Sequence, residues 1–447
     1  MKSPAIVLRC LRAAAFGLGA TLAAHGASPA SALYDHAGMK PVQLHGLKVW
    51  LGKPVQVTAQ IGWGMSWVHP GWQPGWSFIH LTPYLAKCPG GNLIATYPMD
   101  PDTQQNPFFL SAFQISRDGG AHWDRRYATL IQHIPMVFIP KENDSLLGIA
   151  SELMYKSDGD TRNFVGPYYL FKHGGDKIEM VPDGIRIVDW PWETRMDPSG
   201  EADVGGPQPR DNWHAGVSIT GSALKIGSRW IASIYGAKGR APTDSTMLIA
   251  SEDGGYTWRY YSTIADGDPA NVGKDLFEGA NETSFLQLAD GDLMAVFRTG
   301  SGTGWHIHRA YSHDGGKTWS RPDELPAYSV EPQVIRAANG TIALSTGRPG
   351  VDLWLAADPR ATQWQKIDLV AYHNAAIADP AQHIGSFEHT HGDHAPHKIF
   401  QTTSYTAMVE TAPNRLLLIY DRDSERKPVN EQDISRVFVL PLEIERN

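Results

Sequence analysis

Cysteine is nearly missing from this sequence. The 447-residue chain has two, Cys10 and Cys88, too few for the disulfide framework that supports small exported domains. A surplus of positive charge is also lacking. Lys and Arg total 39 against 47 Asp and Glu, a formal charge of −8, whereas a nucleic-acid partner requires a basic face. Beyond residue 32 no apolar run approaches the ~18 residues needed to span a bilayer. What the chain has in quantity is glycine (44), tryptophan (15) and a 42% hydrophobic share. That composition fits short strands, tight turns and a packed core, and it argues against wholesale disorder. The length allows several ordinary domains or one large all-β domain.

The first 32 residues differ in character from the rest. Lys2, Arg9 and Arg12 precede an alanine-rich apolar run from Ala13 to Ala24, and Ala30-Ser31-Ala32 offers small residues for cleavage. This three-part pattern predicts a secretory signal peptide over 1–32 and a secreted or periplasmic protein. Its removal takes the formal charge from −8 to −11 and leaves Cys88 alone, with no intrachain disulfide possible. Residues 33–447 are then expected to form a single domain that relies on a large core.

Repeats carry most of the information. SRDGGAHW at 116–123, SEDGGYTW at 251–258 and SHDGGKTW at 312–319 are near copies. In each, an Asp carboxylate (Asp118, Asp253, Asp314) can accept turn N–H groups, and two glycines permit positive φ. A tryptophan five residues on (Trp123, Trp258, Trp319) can fill apolar space beside the turn. A degraded relative lies near Asp358 and Trp364, and a fainter one around Ser157-Asp158-Gly159. A second repeat, a turn followed by a short apolar strand, reads GGNLIATY, NDSLLGIA, GSRWIASIY, DGDLMAVF, NGTIALST and PNRLLLIY. Six copies predict an all-β, six-bladed β-propeller, with a seventh blade within Phe164–Asp211 as the open alternative. The last strand, RVFVLPLEI, is expected to pair with the region Leu47–Val57 and close the ring, which removes exposed sheet edges.

The repeat register selects candidate site residues. Eleven residues before Leu93, Leu146, Leu293, Ile342 and Leu416 stand Thr82, Pro135, Glu282, Glu331 and Tyr405. Equal spacing places them equivalently, at inner-strand starts that converge on one face of a propeller. Arg298 and Arg348 follow their markers by five and six residues and should return to that face. The third unit has a longer hairpin, and His214 is the candidate for its slot.

At these residues the chain resembles the sialidase superfamily, through the Ser-x-Asp-x-Gly-x-x-Trp boxes (Asp-box or BNR repeats), NETSFLQLADGDLMAVFR at 281–298 and SYTAMVETAPNRLLLIYD at 404–421. The resemblance implies Tyr405 as nucleophile, Glu282 as its base partner, and Arg298 and Arg348 as clamps for a substrate carboxylate. Asp100 and Asp102, in YPMDPDTQQ, fall where the general acid is expected, and Glu331 and His214 are assigned to substrate binding. The chemistry is coherent. A sialic acid carries a carboxylate on its anomeric carbon, which repels an Asp or Glu nucleophile, and a neutral phenol avoids that repulsion. A tyrosine with an ordinary pKa of about 10 needs a nearby base, and guanidinium groups match a carboxylate bidentately. Where the resemblance implies Arg-Ile-Pro in the first blade, Leu81-Thr82-Pro83 stands instead, with His80 beside it.

The reading is therefore an exported retaining exo-glycosidase acting on a terminal acidic sugar of a glycan. Two alternatives stand beside it: a propeller polysaccharide lyase on a uronate glycan, and a non-catalytic glycan-binding propeller. No cofactor is expected. HTHGDHAPH supplies His389, His391, His394 and His397, near His383 and Glu388, but matches no zinc-site spacing. Trp63, Trp67, Trp72 and Trp76 suit either sugar stacking or burial of a terminal segment.

Overall fold

The computed structural model describes residues 32–36, 39–58, 62–68, 71–77, 82–98, 110–124, 129–132, 134–155, 162–192, 216–238, 241, 243–267, 279–299, 306–389, 397–423 and 435–447. The chain is all-β, with one α-helix among the described residues, Leu369–Ala376, N-capped by the Asp368 carboxylate.

Among the described residues the strands group into six successive units. The first comprises strands Tyr84–Lys87, Leu93–Pro98, Leu110–Ser116 and Thr129–Gln132. The fourth (Asn281–Gln287, Leu293–Arg298, His306–Ser312, Asp323–Tyr328) and fifth (Gln333–Arg336, Ile342–Gly347, Val351–Ala356, Gln365–Asp368) are likewise four-stranded antiparallel meanders. The second starts with Pro135–Lys141 and Ser145–Ala150, and the third with Gly216–Ile226 and Arg229–Ala237. A short strand, Glu152–Tyr155, pairs with Gly216–Ser218, and Arg186–Ile187 pairs in parallel with Thr257–Trp258, so these two units merge into one nine-stranded sheet. Strands Phe164–Lys172 and Lys177–Ile187 complete the second unit.

The sixth unit joins the chain ends. Ala407–Ala412, Arg415–Arg422 and Arg436–Arg446 run antiparallel, and the last strand pairs on its far side with Leu47–Leu51 and Val55–Thr58. The expected pairing of RVFVLPLEI with Leu47–Val57 is present.

All six turn-strand repeats are the second strand of a unit. Ser145–Ala150, Leu293–Arg298 and Ile342–Gly347 are buried at every position, because these strands are covered on both faces. The third strand Val351–Ala356 keeps a stronger in–out alternation. The first strands touch in a closed cycle, from Tyr84–Lys87 through each following unit to Ala407–Ala412 and back to Tyr84–Lys87.

The Asp-boxes key neighbouring units together. In the second box the Asp253 carboxylate accepts from the N–H groups of Tyr256 (3.1 Å) and Thr257 (2.9 Å), and Trp258 Nε1 donates to the Gly255 carbonyl (2.9 Å). Gly255 sits at φ +100°, and a Cβ there would meet Ile139 Cδ1 of the second unit at 2.5 Å. Asp118 and Asp314 cap their turns in the same way. Asp358 does so too, accepting from the N–H groups of Thr362 and Gln363, so the degraded copy retains the turn. The fainter Ser157 copy lies outside the described residues.

Candidate active site

Three of the five aligned positions share a backbone conformation that Pro135 and Tyr405 do not have. Thr82 (φ 40°), Glu282 (φ 39°) and Glu331 (φ 39°) share one left-handed conformation, and Ser404, just before Tyr405, has φ 65°. Asn281 pairs with Arg298 and Thr283 with Phe297, so Glu282 is an extra, bulged residue opposite the end of its partner strand. Such a conformation costs a non-glycine residue roughly 1–3 kcal/mol, and it persists only where the surroundings over-determine it. Here it turns Glu282 and Glu331 toward each other across two units.

The Tyr405 phenol donates to Glu282 Oε1 at 2.6 Å. Glu282 Oε2 accepts from Arg298 Nη1 at 2.7 Å and from the Glu331 backbone N–H at 2.8 Å. Glu282 is 6% exposed, Arg298 8% and Glu331 1%, while Tyr405 is half-buried. The ion pair is therefore desolvated, and its charge-assisted bonds hold the carboxylate rigidly.

Glu331 is electrostatically unlike Glu282. Burial, and then the charge of Glu282, push its carboxyl well above the usual carboxylate range. Gln333 Nε2 donates to its Oε1 at 3.3 Å, and Oε2 has no full hydrogen bond. The Tyr84 phenol approaches Glu331 at longer range. Tyr84 and Tyr235 are both held well above the ordinary phenol range, first by burial and then by Glu331 or Glu282 respectively. Sequence reasoning missed these two tyrosines. Tyr84 lies only two residues beyond the aligned Thr82, but Tyr235 sits in the third unit, where that register breaks.

Residues 216–412, a little under half of the chain, match the BNR repeat-like domain family. That stretch is BNR repeat-like and holds two of the three Asp-boxes, at 251–258 and 312–319. Among solved structures it is similar to a protein of unknown function from Dyadobacter fermentans, at 16% identity and TM-score 0.57, over 90% of this chain and 100% of that one. It is also similar to an α-L-arabinofuranosidase from Fusarium graminearum (12%, TM-score 0.54, 87% of this chain and 97% of that one). A third is an α-L-arabinanase from Penicillium chrysogenum, solved with arabinobiose (13%, TM-score 0.52, 87% and 98%). At these identities the likeness concerns fold alone. No curated protein matches the sequence.

In the structure Tyr405, Glu282, Arg298 and Glu331 come together, with Arg348 close to the turn before Tyr405. The Arg348 Nη2 donates to the Thr403 carbonyl at 3.3 Å, two residues before Tyr405. Arg298, expected as a clamp for a substrate carboxylate, donates from Nη1 to Glu282. Asp100, Asp102, His80 and His214 lie outside the described residues. So do His391, His394 and the side chains of His389 and His397, whose strands Ser386–His389 and His397–Phe400 form a two-stranded hairpin. His383 is occupied by the Ile377 carbonyl at 2.8 Å. Among the described residues no cluster of three or more His, Cys, Asp or Glu side chains could hold a metal ion. The hairpin bearing the four tryptophans pairs Trp63 with Trp76 and Trp67 with Trp72 along its backbone.

Proposed function

We propose that this chain is a six-bladed β-propeller glycoside hydrolase that works with retention, Tyr405 attacking the anomeric carbon of a terminal acidic sugar. The closed cycle of six first strands supports the blade count. The observation that carries the chemistry is the 2.6 Å bond from the Tyr405 phenol to Glu282. Glu282 takes the phenolic proton as the oxygen attacks. The glycosidic bond breaks as the leaving alcohol is protonated, and water later releases the sugar from Tyr405. Asp100 and Asp102 are the proposed proton donors for the alcohol. Arg298 holds Glu282 in place for proton acceptance, and Arg348 is the proposed partner of a substrate carboxylate. Residues 1–32 are proposed to direct export, so the exported protein should begin at Leu33.

The placement of cations favours a second reading. Leu81 stands where the resemblance implies arginine, and Arg298 is paired with Glu282. A neutral furanoside, as in the arabinofuranosidase and arabinanase that share the fold, needs no carboxylate clamp.

One panel separates these readings: 4-methylumbelliferyl glycosides of N-acetylneuraminic acid, glucuronic acid and α-L-arabinofuranose, with ultraviolet detection of unsaturated lyase products. A fluorinated analogue of the hydrolysed sugar should then leave its mass on the peptide bearing Tyr405. An active sample that yields no adduct on Tyr405 overturns the nucleophile assignment.

A further inference from the structure

Asp421 is a fully buried carboxylate (0% exposed) that the mechanism above does not use. It lies at the end of the second strand of the sixth unit, and its acceptors all serve the segment leading to Tyr405. Oδ1 accepts from Thr402 Oγ1 (2.9 Å), Thr403 Oγ1 (2.9 Å) and the Thr403 N–H (3.1 Å), and Oδ2 also approaches the Thr403 N–H at 3.1 Å. Thr402 Oγ1 in turn accepts from the Ser404 N–H at 3.0 Å, which secures the left-handed Ser404.

Thr403 connects three units at the site. Its Oγ1 accepts from the Thr82 N–H of the first unit at 3.3 Å and lies 3.5 Å from the Tyr405 N–H. Its carbonyl accepts from Arg348 of the fifth unit. An ordinary turn could be capped by a neutral side chain. A carboxylate buried beside another acid, Asp423, carries a desolvation cost that such a turn does not need to incur. In return, its charge-assisted bonds are stronger and leave the turn less freedom.

We infer that Asp421 is a positioning residue, which acts through Thr402 and Thr403 to hold the Tyr405 phenol on Glu282. Its catalytic consequence rests on the proposed role of Tyr405, whereas the positioning itself does not.

The test uses full-length protein labelled with 13Cζ-tyrosine, in which the Tyr405 resonance is identified by its loss in Tyr405→Phe. Thr403→Val keeps the shape but removes the hydroxyl, and Thr403→Ser restores it. In Thr403→Val the Tyr405 resonance should move. Turnover of 4-methylumbelliferyl N-acetylneuraminic acid, or of whichever panel glycoside is cleaved, should fall at least about tenfold in kcat with KM little changed, because a small misplacement of a reacting group is costly. Thr403→Ser should return both quantities to near wild type. If Thr403→Val does not fold, Asp421→Asn is read in the same way. A folded variant whose Tyr405 resonance stays at the wild-type position overturns the inference. If the resonance moves but Tyr405→Phe turns over like wild type, the positioning stands and the nucleophile reading fails.

Discussion

Glu282 and Glu331 are the same residue type at the same repeat position with the same backbone angle, yet their surroundings separate them. Arg298 and a backbone N–H both donate to Glu282, while burial, and then Glu282, push the Glu331 carboxyl well above the usual range. Asp421 shows the same physics in isolation. Burial, with Asp423 second, raises its carboxyl to about 7 from an ordinary 3.8. The folded state therefore binds this proton more tightly than the unfolded chain does. Stability is penalised above pH 7 and recovers as pH falls through 7 toward 4. The shift of about 3 units corresponds to about 4 kcal/mol. Asp421→Asn removes the titration, so wild-type melting temperature relative to the variant should rise as pH falls from 8 to 4. His373, whose charged form is disfavoured by burial, works in the opposite direction but is common to both proteins and cancels. A difference in melting temperature that stays flat over this range would refute the assignment.

At the scale of the element, the Asp-box is a turn that also serves as an inter-sheet key. Asp253→Ala removes the acceptor of two backbone N–H groups and should cost roughly 1–3 kcal/mol. Gly255→Ala adds both left-handed strain and a clash with Ile139, so its loss of stability should exceed that of Asp253→Ala. Thermal melts of the two variants test the order. Activity per folded molecule is expected to stay near wild type in both, since the boxes lie outside the Tyr405–Glu282 cluster. The boxes and the six strand repeats were fully legible, because turn chemistry and hydrophobic runs are local. The strands Phe164–Lys172 and Lys177–Ile187 were less so. Their pairing with the second unit is set by contacts with Leu146–Ile149, which no local pattern reports.

At the scale of the molecule, the last strand is the clasp. Val437, Val439, Leu440, Leu442 and Ile444 are buried and pack between Arg415–Arg422 and the strands at Leu47–Leu51 and Val55–Thr58. Truncation after Asp433 would expose the second strand of the sixth unit and the N-terminal strands together. Such a chain should lose cooperative urea unfolding, as exposed edges and an opened core would predict. A truncated protein that keeps the wild-type midpoint and slope would show that closure is dispensable.

By itself the sequence determined the all-β class, the repeat units, the end-to-end pairing and the short list containing Glu282, Arg298, Glu331, Arg348 and Tyr405. These follow from periodicity and spacing, which are properties of neighbouring residues along the chain. Only the tertiary structure decided that Arg298 pairs with Glu282, that burial raises the Glu331 carboxyl, and that Asp421 bonds the turn before Tyr405. Each of those outcomes depends on desolvation and on distances of a few ångströms between units. Tyr405 and Glu282 are 123 residues apart in the chain but 2.6 Å apart between their oxygens, and such a distance exists only once the sheets have packed.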